Sequence, residues 1–546
     1  MRSFKTRAAM LIVLYLCCFA ASPLSAQSRG LEAIRAADMK VHLDFLAAPQ
    51  FGGRPAPSAS VEIASLYLAR EAQRRGLKPI LPDGSYFQAV PIEVSTISPA
   101  KSRLRILTAG GEQVLYFPQS FGIANMRSAA EGAFSGAVVF IGSVKDANEQ
   151  SLESLELAGK MAVALGVVEP EGPRPGSGPQ APFSPARYLR GKGAAGFVTI
   201  IPAERENNLK EKGLGFDFGE QLRFPSVDMS GWFGRRPATG PTGAGLPPLP
   251  FVQLEVRQEA GAAILGISPA ELNARFEAAA AGRPVSSGPV EGRILEAGIY
   301  FDTRLTSASN VVGWIEGTDP KLKSEYITIT GHQDHLPMHE GAVYPGADDN
   351  GSSAVAMLAL VKALTIERPK RSVIFVWGTA EERGLVGAFH FVQHCPVPVE
   401  KISANLNLDM LSRNDPGMIY LVGSKSLSTE FDRTLRAAND RSVRLRIDDT
   451  FQSPGHPELF FFRSDHFPYI EYGIPGVWIF CGTTPDYHTP HDGIDRVDYA
   501  KMEKVTKFVY VACLDIGNKP EMMKLDVRPD VTSRGPQNIK VEWWKR

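Results

Sequence analysis

Cysteine is scarce in this chain: five residues of 546, two of which, Cys17 and Cys18, stand near the N-terminus. Beyond residue 26 only Cys395, Cys481 and Cys513 remain. Three is odd, so at least one thiol stays unpaired, and the fold does not depend on a disulfide framework. Net charge is also missing, with 59 Lys and Arg balanced by 59 Asp and Glu. That balance removes any electrostatic case for a nucleic-acid partner or an acidic membrane surface. After the N-terminal segment no stretch is apolar for the roughly 20 residues that a spanning helix needs. A soluble globular protein of two or three domains is expected from this length.

The N-terminus reads as an export signal. Arg2, Lys5 and Arg7 are basic, Ala8 to Ala21 is apolar, and Ser22-Pro23-Leu24-Ser25-Ala26 offers small residues for cleavage after Ala26. The expected location is therefore periplasmic or extracellular, with no stable membrane insertion after cleavage.

Periodicity then divides the chain. Leu31 to Ala48 and Val61 to Arg75 are helical patterns, and Ala89 to Val94 a strand. From Ile97 to about Gly292 the texture changes to short β-like runs, among them Arg103 to Leu107, Gly136 to Ile141, Met161 to Val168 and Val252 to Val256. The Pro- and Gly-rich stretch Arg235 to Pro250 interrupts them and excludes regular structure there. From Ser309 strands and helices alternate cleanly. Val311 to Glu316, Tyr326 to Thr330, Val373 to Trp377, Ile402 to Leu408 and Gly476 to Phe480 read as strands; Gly351 to Leu364, Leu385 to His394 and Tyr499 to Ile516 read as helices. This pattern predicts an α/β sandwich with a mostly parallel central sheet. The expected division is 1–26 signal, 27–96 first part of the α/β domain, 97–292 inserted β-rich domain, 293–517 main α/β domain, and 518–546 a polar tail ending near Trp543 and Trp544.

The chemistry gathers at strand ends. Gly331 to Asn350, GHQDHLPMHEGAVYPGADDN, leaves the end of Tyr326 to Thr330 and carries three His, three Asp and one Glu. Val373 to Trp377 runs into Gly378-Thr379-Ala380-Glu381-Glu382; Ile402 to Leu408 ends at Asp409; the strand ending at Phe480 leads to Tyr487-His488. Ligands of open α/β sheets bind at this edge. Any one of these acids or imidazoles alone reads as a solvated loop residue; their coincidence does not. Imidazole and carboxylate together suit zinc, with other divalent metals open. Two such ions need a bridging carboxylate, which Asp349 supplies. His332, His488, Glu382 and Asp409 are the remaining ligand candidates, and spacing leaves their pairing open. Metal coordination brings water to a pKa of about 7. Glu381, left over, suits general base and proton shuttle. Asp334 is placed to hold the second nitrogen of His332.

GHQDH, PGADDNGSSA, AEERGLVGA, NLDM, SDHFPYIEYGIPG and YHTPHD, in this order, resemble the zinc-dependent aminopeptidase family, which includes secreted bacterial leucyl aminopeptidases, glutamate carboxypeptidase and glutaminyl cyclase. The resemblance runs through roughly Asn310 to Val509 and touches LDFLAAPQFGGR and GLKPILPDGSYFQAVPI. It implies a three-layer sandwich and two Zn²⁺ ions. It pairs His332 with Asp409 and Glu382 with His488, with Asp349 as the bridge and Glu381 as the base. A cis peptide after Asp349 is also implied, and the inserted region resembles a protease-associated domain. Gln333 and Gly351-Ser352-Ser353 depart from the family pattern without touching a ligand.

Peptides are then the expected substrates, with hydrolysis at the N-terminal residue. A carboxypeptidase, a glutaminyl cyclase or other amide hydrolase, and a non-catalytic binding protein are the alternatives. A site of two divalent ions, three carboxylates, a hydroxide and ionised Glu381 sums to about −1, which favours a protonated amine. Arg413 and Arg463 are the candidates to hold a carboxylate instead, against a plain reading as surface loop arginines. Tyr487 is a candidate oxyanion donor. His335, His339 and Glu340 read as solvated loop or cleft rim, His390, His394 and His456 as surface or cap residues, and Asp465 and His466 as structural or catalytic with equal weight.

Overall fold

The structure, a computed structural model, describes residues 26–124, 130–167, 183–211, 220–228, 251–339 and 341–529. Nearly all of the expected signal, the Arg235 to Pro250 loop, Glu340 and the Trp543-Trp544 pair lie outside the described residues.

Two mixed sheets organise these residues. The first has ten strands, six of them contiguous through its middle. In chain order β1 (Phe87–Ile97) and β2 (Phe301–Ile315) come first. The four parallel strands that the apolar runs predict follow and form the centre: β3 (Tyr326–His332), β4 (Ser372–Gly378), β5 (Ile402–Leu408) and β6 (Gly476–Phe480). The spatial order is β6-β5-β3-β4-β2-β1, with parallel pairing from β4 to β6 and antiparallel pairing at β4–β2 and β2–β1. Short strands extend both edges, and one of them, Gln221–Arg223, pairs with β1. Apart from half-buried Tyr326 at the start of β3, the central strands are buried along their whole length, as parallel strands covered on both faces must be. On β4, Val373, Phe375 and Trp377 pack into one apolar cluster with α1 (Ser353–Ile366) and α3 (Tyr499–Asn518). Ile374 and Val376 pack into another with α2 (Val386–Gln393).

β3 lies between β4 and β5, so successive connections leave it in opposite directions. The crevice at that reversal, outside the strands' C-terminal ends, is where such sheets take ligands.

The second sheet has eight strands drawn from residues 103–299, ordered Gly111–Tyr116, Arg103–Thr108, Gly288–Ile299, Gly132–Ser143, Met161–Leu165, Gly196–Ile200, Val252–Val256, Phe121–Ile123. It encloses its own apolar core, including Phe121, Phe134, Phe140, Met161 and Leu254. β1 enters it and β2 leaves it, paired in register from Phe87↔Val311 to Ile97↔Phe301.

The helical pattern Leu31 to Ala48 is realised as two helices, Ala26–Ala33 and Ala36–Leu46, broken at an extended Arg35. The cause is tertiary: the backbone N–H of Ala36 donates to the Glu503 carboxylate of α3 at 2.7 Å. Cys395, Cys481 and Cys513 are all free thiols. Among the described residues no helix is long and apolar enough to cross a membrane.

Candidate metal centre

A chain of buried hydrogen bonds runs along the ends of β3 and β5. Asn405 donates to Thr328 and Thr330 at 3.0 Å each, Thr330 to Asn407 at 2.8 Å, Asn407 to Ser464 at 2.7 Å, and Ser464 to Asp409 Oδ2 at 2.6 Å. Asp409 is thereby fixed through one oxygen. Its other oxygen, Oδ1, is buried without a hydrogen-bond partner and lies 3.5 Å from His332 Nε2. A polar atom left bare in this way needs a partner that is not a protein donor.

Asp349 is presented by the turn Ala347–Ser352. Asp492 accepts from the backbone N–H of Asp348 and Asp349 at 3.0 Å each, and Asp348 accepts from Ser412 Oγ at 2.7 Å. The peptide between Asp349 and Asn350 is cis, as the resemblance implies. Gly346, at φ +57°, begins the turn; a Cβ there would stand 2.4 Å from both Asp349 O and the His335 ring. The two carboxylate oxygens of Asp349 face different imidazoles. Oδ1 is 3.4 Å from His332 Nε2, and Oδ2 is 3.0 Å from His488 Nε2.

After β4 the chain turns through Ala380, at φ +54°, into Glu381 and Glu382. Asp334 holds this turn: its carboxylate accepts from the backbone N–H of Glu381 at 3.1 Å and of Glu382 at 3.4 Å. The second nitrogen of His332 instead meets the backbone carbonyl of Asp334 at 3.1 Å, with the carboxylate at 3.7 Å. The contact between Asp334 and His332 is therefore made chiefly through the Asp334 backbone. Glu382 Oε2 is 3.2 Å from His488 Nε2. Glu381 Oε2 lies 3.9 Å from His332 Nε2, beyond hydrogen-bond distance.

His335 was expected at a solvated rim and is instead fully buried, with Nδ1 3.1 Å from Glu382 Oε1 and Nε2 without a partner. Two groups thus have atoms spaced to share an ion: His332, Glu381 and Asp409, and His335, Asp349 and Glu382. Sequence reasoning missed His335 because the loop's return under Glu382 is a tertiary fact; its spacing from His332 was the only local signal.

Acids outnumber bases here. Asp334, Asp349, Glu381, Glu382, Asp409 and Asp465 surround His332, His335 and His488. Burial alone would lower the His488 pKa, but Glu382 and Asp349 push it up to about 10. Burial, with Glu382, Asp465 and Asp409 nearby, raises the Glu381 carboxyl well above the usual range. Burial likewise lifts Asp334 to about 6 and Asp465 to about 7. A buried donor set with this surplus of negative charge, and with the bare Asp409 oxygen, fits divalent cations.

The cleft over these groups is lined by Met410, Phe460, Trp478, Thr483, Tyr487 and Arg463. Tyr487 stacks on His488, ring centroids 3.8 Å apart, and its hydroxyl oxygen accepts from Arg463 at 3.4 Å. Arg413 is buried, donating to Arg496 O at 2.7 Å and pairing with Asp486 at 3.1 Å, so its role is structural. His390, read as a surface or cap residue, is instead buried, stacks on His394 and meets Ser226; His466 is buried as well.

The fold has solved counterparts. A zinc aminopeptidase from Bacillus subtilis superposes with a TM-score of 0.52 at 16% identity, over 91% of this chain and 99% of that one. In sequence, residues 310–512 match peptidase family M28. The probable leucine aminopeptidase 2 of Aspergillus oryzae is 32% identical over 176 residues, 32% of this chain and 33% of that protein. Aminopeptidase YwaD of Bacillus subtilis is 25% identical over 227 residues, 40% of this chain and 47% of that protein. These matches therefore span about a third to a half of those relatives' lengths. The family match covers the stretch that carries the candidate ligands.

Proposed function

We propose that this chain is an exported metallo-aminopeptidase with two zinc ions, cleaving N-terminal residues from peptides. His332 and Asp409 would hold one ion, Glu382 and His488 the other, with Asp349 between them. The observation that carries this is the division of Asp349, one oxygen toward His332 and the other toward His488. Bound there, the ions would supply an activated water and polarise the scissile carbonyl.

The chain's own groups complete the reading. Glu381 faces the same cleft, with its carboxylate 3.9 Å from His332 and free of any hydrogen bond to it, which suits a group that takes a proton from water and returns it to the leaving amine. Tyr487, stacked on His488 at the cleft wall, can donate its hydroxyl proton to a developing oxyanion. His335 braces Glu382. Asp334 sets the Glu381-Glu382 turn and the orientation of His332. The first sheet with its helices is read as the three-layer peptidase domain, and the second sheet as the inserted protease-associated-like domain, bordering the cleft without carrying chemistry.

The test is elemental analysis and turnover of Asp349→Ala. Loss of both zinc equivalents and of chelator-sensitive cleavage of leucyl amides is expected. Retention of two equivalents would remove the bridging assignment.

A further inference from the structure

We propose that Arg463 is a specificity residue that reads a carboxylate on the substrate, so that this site favours peptides carrying a free acid close to the scissile bond. The inference rests on the peptidase reading of the site.

Arg463 follows the short helical turn Phe460–Phe462 and lines the same cleft as His332, Glu381, Asp409 and His488. Its guanidinium lies over the Phe460 ring, 4.7 Å from the centroid, which fixes its plane. Its polar contacts are loose. Glu458 O is at 3.5 Å, Glu458 Oε2 at 3.7 Å and Tyr487 Oη at 3.4 Å. A guanidinium has five N–H groups arranged to match a carboxylate. Arg413, by contrast, is buried against Asp486, Asp492 and the Arg496 carbonyl and does not line this cleft. About a quarter of the Arg463 side chain is exposed (26%), so it is both anchored and reachable.

Arg463 also changes the charge argument. The cleft has an acidic end at Glu381 and Asp409 and a cationic end at Arg463. Such a dipolar cleft matches a short peptide, amine at one end and acid at the other, better than it matches an isolated amine. The acid has two possible sources: the C-terminal carboxylate of a dipeptide, or the side chain of an Asp or Glu residue.

Four matched substrates separate these: Leu-Leu, Leu-Leu-amide, Glu-Leu-amide and Leu-Glu-amide, each assayed with wild type, Arg463→Gln and Arg463→Lys. For the carboxylate source that is read, Arg463→Gln should raise KM about 10- to 100-fold, the scale of one charged hydrogen-bonded contact, with kcat within about threefold. Leu-Leu-amide should shift less than about threefold. Arg463→Lys should restore part of the loss, because a point charge replaces the fork, and it keeps the test open if the Gln variant folds poorly. An equal fall in kcat for all four substrates would overturn the proposal and leave Arg463 as a support for Tyr487. So would KM values that do not move. Wild-type protein that cleaves none of them, with no effect of chelator, would remove the peptidase reading itself and the proposal with it.

Discussion

Arg54 is the sharpest place to perturb this site, although it touches no candidate ligand. Its side chain is 1% exposed. Its guanidinium donates to Gln333 O at 2.8 Å, Leu46 O at 2.8 Å, Pro345 O at 2.6 Å and Gly346 O at 2.9 Å. Gln333 follows His332, and Gly346 opens the turn that presents Asp349. One side chain therefore clasps both ends of the loop between two candidate ligands. The preceding Gly53, at φ +87°, lets the backbone in: a Cβ there would lie 2.2 Å from Leu336 O. Replacing Arg54 with Met keeps length and burial but removes a charged donor from four carbonyls, of which Gly346 O keeps the Gly351 N–H. Four charge-assisted bonds at about 1.5–3 kcal/mol would sum to about 6–12 kcal/mol. They share one cation and one loop, so they do not add. The expected net loss is about 3–5 kcal/mol, the scale for removing one partner from a buried charged set. Urea denaturation followed by Trp fluorescence should show the midpoint fall, and zinc titration should show weaker uptake at both sites. Arg54→Lys should recover little, since three donors on a compact ammonium do not span carbonyls from three segments. A Met variant with an unchanged midpoint and unchanged zinc affinity would refute the clasp.

Three further outcomes are expected. Glu381→Gln should keep zinc and fold but slow turnover by about 10²–10⁴-fold. Glu382→Gln should instead lower zinc affinity, and steady-state rates with metal analysis of both variants separate the two roles. His390 is held neutral, its pKa lowered to about 4 by burial and then by His394. The unfolded chain binds this proton near pH 6.5 and the folded chain does not, so the contribution is complete above 6.5 and fades as pH falls toward 4. Urea midpoints at pH 7 and pH 5 should diverge less for His390→Gln than for wild type.

The parallel strands were legible because a strand buried on both faces must be a continuous apolar run, as Val373 to Trp377 and Ile402 to Leu408 are. His332, Glu382 and Asp409 were legible because each stands at or just past the end of such a run, and Asp349 and His488 because they lie on the loops that leave the same strand ends. What escaped depends on residues far apart in sequence. The break at Arg35 needs Glu503 from the last helix. Burial of His335 needs Glu382, and the clasp of Arg54 needs a loop nearly three hundred residues away. Arg413 and Arg463 were indistinguishable as loop arginines. Only the placement of Asp486 and Asp492 beside one, and of Phe460 under the other, separates them.

The route between β1 and β2 has a consequence for anyone who would shorten this protein. It begins and ends at a single cross-strand pair, Ile97 and Phe301, so on paper it could be cut out and the gap closed with a tight turn. Midway, however, the detour sews itself back onto the parent sheet. Gln221–Arg223 pairs with β1, Ser226 reaches His390, and Asp228 exchanges hydrogen bonds with Gln393. Excision would pull that stitch and leave β1 as a raw edge, open to pairing with a second molecule. A trimmed version should therefore keep 220–228 as a grafted strip, or it will trade a bordered cleft for a tendency to clump.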